Sequence, residues 1–178
     1  MSIETVAVRM GFAPDQALAI EQTCHRFKID TPMRASHFLA QVAHESGTGK
    51  WMREIWGPTT AQRGYEGRID LGNVLAGDGK RYMGRGLIQL TGRANYTAYS
   101  RAIHGDERAV TTPDMVEKMP DAALAAGWFW ARKGLNDLAD RDDLRAVTRR
   151  VNGGYNGLAD RQTKLIKAKG LFAQLVSR

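Results

Sequence analysis

Cysteine is almost missing from these 178 residues: the one copy, Cys24, excludes an intramolecular disulfide framework and any cysteine-rich zinc site. A lone cysteine of this kind reads as a small buried hydrophobe, and its scarcity suits synthesis in a reducing cytosol. Nowhere do eighteen apolar residues run together, so no membrane-spanning helix is predicted. The opening stretch MSIETVAVRMGFAPDQ sets acid, arginine and proline where a secretion signal needs an unbroken apolar run. A soluble protein, not exported by a signal of its own, is the expectation. Repeats, low-complexity tracts and obvious linkers are lacking too. Acidic residues are outnumbered 19 to 26 by Lys and Arg, a formal charge of +7. That surplus favours an anionic partner, whether nucleic acid, an acidic membrane surface or a polyanionic wall polymer, without choosing among them. What is present is ample apolar material, 43% of the residues, enough for the core of one domain over 1–178 with room for a small second lobe.

Helical periodicity dominates. Residues 14–28 follow a Pro-Asp start with Leu18, Ile20, Cys24 and Phe27 at roughly helical spacing. In TPMRASHFLAQVAHES, Thr31 caps, Pro32 takes the first helical position, and Ala35, Phe38, Leu39 and Val42 form one stripe. Residues 92–104, 121–133, 142–151 and 158–176 read as further helices, the last amphipathic through Leu165, Ile166, Phe172 and Leu175. This last helix is basic enough to suggest a membrane surface, but packing against the core is the simpler expectation. Between them, residues 57–86 are glycine-rich and aperiodic, and an irregular stretch of that length usually accompanies a site.

Two glutamates flank a pair of glycines in AHESGTGKWMREIW. With Phe38 as the zero of a helical wheel, Val42 falls near about +40°, Ala35 near about +60° and Glu45 near about −20°. Glu45 thus lies on the apolar stripe at the carboxyl end of its helix, where desolvation and the helix dipole both disfavour the anion. A carboxylic acid kept partly protonated is what a glycosidase uses to protonate a leaving oxygen, although a buried glutamate paired with an arginine explains the position equally well. A continuous helix would carry Glu54 to the opposite face; a turn at Gly47 and Gly49 would let it face Glu45 across a cleft. Inverting glycosidases hold their two carboxyls about 6.5–9.5 Å apart, with space for a water. Spacing alone permits this arrangement, and a solvated Glu54 is the plainer reading.

The block GDGKRYMGRGLIQLTGRANY, residues 77–96, resembles the glycoside hydrolase family 19 (chitinase-like) motif, in particular that of phage and prophage endolysins. The matching positions are Tyr82, Gly84, Arg85, Gly86, Leu87, Ile88, Gln89, Leu90, Thr91, Asn95 and Tyr96. FLAQVAHESG is similar to the family's His-Glu-Thr-Gly helix end, with Ser46 for threonine; AALAAGWFWARKG and RRVNGGYNGLADRQ resemble its aromatic helix and Asn-Gly-Gly segment. The resemblance implies a mainly α fold, two lysozyme/chitinase-like lobes around a substrate cleft, with at most a small β-hairpin from 65–85. It implies Glu45 as general acid and Glu54 as general base, with Glu66 kept as a rival because plant members place their base at another offset. Thr91 matches the hydroxyl that holds the nucleophilic water. Gln89 and Asn95 match amides that grip N-acetyl groups, Tyr82 and Tyr96 belong to the substrate-binding motif, and Asn152 and Arg161 match a polar pair lining the cleft, Arg161 restraining a carboxylate.

The residues by themselves say less. Gly84-Arg85-Gly86 lacks the lysine and hydroxyl of a phosphate loop. Thr91 could be only a helix cap. Trp128 and Trp130 lie on different sides of a helix, so at least one should be core. His37 and His44 lack the spacing of a zinc site, and no metal or other cofactor is expected. Taken with the resemblance, the expectation is a muramidase that hydrolyses the β-1,4 bonds of peptidoglycan with inversion and lyses the host cell. It would act as a monomer, accumulating in the bacterial cytoplasm and reaching the periplasmic wall through a separate membrane pore. Chitin is the nearest alternative substrate, and a catalytically silent wall-binding protein or a lytic transglycosylase remain distinct alternatives. A nucleic-acid binder would account for +7 but leaves HESG and YMGRGLIQLT unexplained, so neither nucleic acid nor stable membrane insertion is expected.

Overall fold

In the computed structural model, which describes residues 2–176, helices α1 (Ile3–Met10), α2 (Pro14–Arg26) and α3 (Pro32–Glu45) come first. The start of α3 follows from its sequence: Thr31 accepts a hydrogen bond from the Arg34 N–H, and Pro32 occupies the first turn. Short turns α4 (Thr60–Arg63) and α5 (Asp78–Arg81) punctuate the glycine-rich stretch, followed by α6 (Arg93–His104), α7 (Arg108–Thr111), α8 (Asp121–Arg132), α9 (Leu135–Asp140), α10 (Leu144–Asn152) and α11 (Leu158–Val176). Single 3₁₀ turns lie at Ile69–Leu71 and Pro113–Glu117. Among the described residues there is no strand, only isolated antiparallel bridges joining Arg53 to Arg85 and Arg85 to Leu90. The pairing therefore falls at 53, 85 and 90 rather than within 65–85.

Two apolar cores share α8. The larger gathers Phe38, Leu39 and Val42 of α3 with Ile20, Trp130, Leu138, Val147 and Phe172, and α11 lies along α3. Its aromatic centre is an edge-to-face contact of Phe38 with Trp130, whose indole N–H donates to Asn136. The smaller core packs Tyr82, Leu90, Tyr96, Tyr99 and Val116 against Ala125 and Trp128 on another side of α8. Both tryptophans of α8 are thus core residues. At Gly127, an added Cβ would come within 2.4 Å of Phe27 and Thr23, so α2 and α8 approach as closely as they do only because no side chain stands there. Cys24 is fully buried, and burial raises its thiol pKa.

One expectation about these helices is corrected, and two helices are additional to those expected. Ile166 is 63% exposed, because it sits one residue, about 100°, round the helix from buried Leu165. The helices Ile3–Met10 and Leu135–Asp140 are too short for their periodicity to stand out in the sequence. Among the described residues no helix is long and apolar enough to cross a membrane, and α11 spends its apolar face on α3 and α1.

Candidate active site

Glu45 is the last residue of α3. Beyond it the chain turns back through Gly47, Thr48 and Gly49, all with positive φ, while buried Ser46 donates to the Val42 carbonyl and accepts from the Gly49 N–H at 2.8 Å. The hydroxyl in place of threonine suffices for this turn. Gln16 reaches from α2 to donate to the Gly49 carbonyl at 3.0 Å. The carboxylate of Glu45 is ion-paired with Arg161 of α11, a side chain only 1% exposed, whose guanidinium also donates to Gln41 Oε1 and to the Asn156 carbonyl. The loop before α11 fits the end of α3 closely. A Cβ on Gly157 would fall 2.1 Å from the His44 ring, and His44 Nδ1 lies 2.6 Å from Asp160.

Glu54 belongs to no helix. It lies in the extended segment that leaves the turn, paired with the chain at 84–86: its N–H donates to the Gly84 carbonyl at 2.9 Å and the Gly86 N–H donates to the Met52 carbonyl at 2.9 Å. Its carboxylate accepts three neutral donors, the Gly84 N–H at 3.0 Å, Gln62 Nε2 at 2.9 Å and the Tyr65 hydroxyl at 3.3 Å. No Lys, Arg or His pairs with it among the described residues, so its surroundings contrast with those of Glu45. Burial, then the charge of Glu54, raise the Tyr65 phenol pKa and keep it a donor.

The motif residues converge on Glu54 through the backbone of Gly84. A Cβ there would lie 2.8 Å from Gln89 Oε1 and 3.3 Å from Thr91 Oγ1, so glycine leaves space for both side chains. Gln89, with φ of 55°, donates to the carbonyls of Trp51 at 3.2 Å and Gly86 at 3.0 Å. Thr91 donates to the Gln89 carbonyl at 2.9 Å and Asn95 to the Thr91 carbonyl at 2.8 Å. Arg85 is a buried support, bonded to Glu117 and Asp114 and to the Tyr96 hydroxyl.

Other predicted residues lie elsewhere. Tyr82 and Tyr96 are 1% and 0% exposed, their hydroxyls donating to the carbonyls of Val110 and Met83, so they frame the second core instead of presenting a face to substrate. Asn152 is exposed at the end of α10 and bonds to none of the other candidates. The rival base, Glu66, has both oxygens occupied, by the N–H groups of Gly77 at 2.6 Å and Gly79 at 2.8 Å, and clamps that loop. Sequence reasoning missed Gln62, Tyr65 and Gln41, since a polar residue in an aperiodic loop or on a buried helix face gives no signal of its partner. It also passed over Trp51, 57% exposed beside the Gln89 amide, although an aromatic inside the motif stretch was visible. Among the described residues no group of three or more His, Cys, Asp or Glu could hold a metal. His37 faces Asp142 and His44 faces Asp160.

Comparison with known proteins bears on the family and the fold. The family model described as chitinase class I matches residues 28–142. A glycosyl hydrolase family 19 domain-containing protein of Haemophilus influenzae is 32% identical over 163 residues, covering 76% of this chain and 78% of that protein. An endochitinase of Arabidopsis thaliana is 33% identical over 152 residues, covering 81% of this chain and 48% of its own length, so the chain spans about half of that plant relative. Among solved structures, chitinase C of Streptomyces griseus shares the fold with a TM-score of 0.70 at 21% identity, covering 98% of this chain and 76% of that one. A class IV chitinase of Zea mays does so with a TM-score of 0.66 at 19% identity, covering 97% and 89%. Matched over most of its length by one family model and by a relative of nearly its own extent, the chain belongs to glycoside hydrolase family 19, and is a chitinase-like glycoside hydrolase.

Proposed function

We propose that this protein is a muramidase, hydrolysing the β-1,4 bonds of bacterial peptidoglycan with inversion at the anomeric carbon. The observation that carries the mechanism is the contrast between two carboxylates on either side of one turn. Glu45 ends a helix beside a single cation, and Glu54 sits among three neutral donors, one of them the N–H of Gly84, the residue against which Thr91 stands. A carboxylate that only accepts hydrogen bonds suits a base, and Thr91, a short side chain that both donates and accepts, suits a water. Glu45 protonates the leaving oxygen while Glu54 and Thr91 activate water on the opposite face of the sugar. As an ion pair with Arg161 the Glu45 carboxylate carries no proton, so to act as the acid it must loosen that pairing and take up a proton from solvent, which it then passes to the leaving oxygen. The Gln89 and Asn95 amides would take the N-acetyl groups. Glu66, engaged at both oxygens, is the weaker candidate for the base.

The +7 charge favours an anionic polymer over neutral chitin. Chitin is the second reading, favoured by relatives that are named endochitinases. In the first reading the protein works as a monomer without a cofactor, made in the bacterial cytoplasm and admitted to the periplasmic wall through a membrane pore. The test is digestion of purified Gram-negative peptidoglycan by wild type, Glu45→Gln and Glu54→Gln, with fragments identified by mass and reducing end. Reducing N-acetylmuramic ends from wild type, reduced about 10²–10⁴-fold in both variants, are expected. Anhydro-muramic ends would indicate a transglycosylase, binding without cleavage a silent wall-binding protein, and activity surviving in Glu54→Gln would transfer the base to Glu66.

A further inference from the structure

We propose that the arginine face of α10, together with Tyr155, is an anion-binding groove for the carboxylates of peptides carried on the glycan; this rests on reading the substrate as peptidoglycan. Arg145, Arg149 and Arg150 are exposed, and with Asp143, Ala146 and Tyr155 they line an open groove of about 510 Å³. The Arg145 guanidinium lies over the Tyr155 ring at 4.5 Å. Stacking on the phenol orients a planar fork of donors, the shape that grips a carboxylate in two places. Arg150 is held by donating to the Lys133 carbonyl at 3.1 Å.

What sets these three cations apart is that they stand unpaired together along one groove. Arg34, Arg53, Arg85, Arg93 and Arg161 each have a carboxylate within salt-bridge distance, whereas Arg145, Arg149 and Arg150 have none among the described residues. The nearest acid in the lining, Asp143, is turned to the helix start, where it accepts from the Ala146 N–H at 2.9 Å. Arg145 and Arg149, four residues apart on one helix face, repel each other, an arrangement that an outside anion relieves. The groove also adjoins the acid. Tyr155 directly precedes Asn156, whose carbonyl accepts from Arg161, and stands two residues before Gly157, which packs on His44 beside Glu45. A linear glycan held at Glu45 would carry its peptide substituents toward this face, whereas chitin has no carboxylate to offer.

The test compares soluble peptidoglycan fragments with the same fragments after their carboxylates are capped as methylamides, using wild type and Arg145→Gln/Arg149→Gln. Wild type should prefer the uncapped polymer by about tenfold in kcat/KM at low salt, through KM, and the variant should lose most of that ratio. Tyr155→Leu, which keeps the charges and removes the stack, should lose part of it. Melting curves establish that the variants are folded. A wild-type ratio near one, or a ratio unchanged in the folded double variant, would overturn the proposal. Pelleting of the Glu45→Gln protein with each polymer separates the two readings. Arginine-dependent pelleting without any cleavage by wild type would sink the muramidase while sustaining the groove, and cleavage of both polymers at equal efficiency would do the reverse.

Discussion

Replacing Arg161 with Met removes the only cation paired with Glu45 among the described residues while keeping an unbranched side chain. The guanidinium side is 1% exposed and the Glu45 side chain 19% exposed, so the substitution strands a largely desolvated carboxylate. It also takes the hydrogen bond from Gln41 Oε1, in a fully buried side chain whose Nε2 already has no partner among the described residues. Breaking one side of a buried pair costs about 3–5 kcal/mol, and the residual exposure of Glu45 places the expectation at the lower end, about 3 kcal/mol. For a domain of this size each kcal/mol is worth about 2–4 °C, so the melting temperature should fall by about 6–12 °C. Urea unfolding should show a lower midpoint with an unchanged slope. If the stranded charge is the cause, adding Glu45→Gln should restore about 1–2 kcal/mol relative to Arg161→Met alone. A single variant that melts within about 2 °C of wild type, or a double variant no more stable than the single, would refute the view that this pair anchors the end of α3 to α11.

Gln62→Leu strips Glu54 of one donor and leaves the N–H groups of Gly57 and Thr59 without their acceptor. A hydrogen bond to a charged group is worth about 1.5–3 kcal/mol, so kcat should drop about 10–100-fold, and an unchanged kcat would show that Gln62 does not orient the base. Gly157→Ala puts a methyl 2.1 Å from the His44 ring at φ of 71°, and backbone strain alone should cost about 1–3 kcal/mol in a thermal melt, with wild-type stability counting against that packing. His37 is fully buried, and burial outweighs the attraction of Asp142 to lower its pKa, Lys169 adding to the lowering. Its neutral form is therefore favoured by folding. The associated stability is complete above about pH 6.5 and is lost as pH falls through that value toward the folded pKa. Urea midpoints should decline from pH 7 to pH 5, less steeply in His37→Gln; parallel slopes in the two proteins would contradict this.

Helix α3 was legible because its signals are local: a threonine cap, a proline in the first turn and a stripe at helical period that includes Glu45. Local also was the end of the helix, since Gly47 and Gly49 adopt positive φ at little cost. The motif glycines announced close approach, and Gly84 does stand against Gln89 and Thr91. The same motif misled at Tyr82 and Tyr96, because a run of matching residues records which side chains occur together and not which way each one points. An aromatic that holds a loop from beneath and one that faces a ligand from above look alike in a string of letters.

By itself, then, the sequence determined a helical chain and one carboxylate at the end of an apolar helix face, since periodicity and capping depend on neighbours a few residues apart, and the resemblance of its motifs pointed to the family. It could not decide what Glu45 and Glu54 face. Arg161 meets Glu45 across 116 residues of chain, and Gly84 meets Glu54 across 30. Those contacts exist only because α11 packs along α3 and the segment at 84–86 pairs with the one at 52–54. The burial that drives such packing is non-directional, and only the closed tertiary structure determines which polar groups it brings face to face.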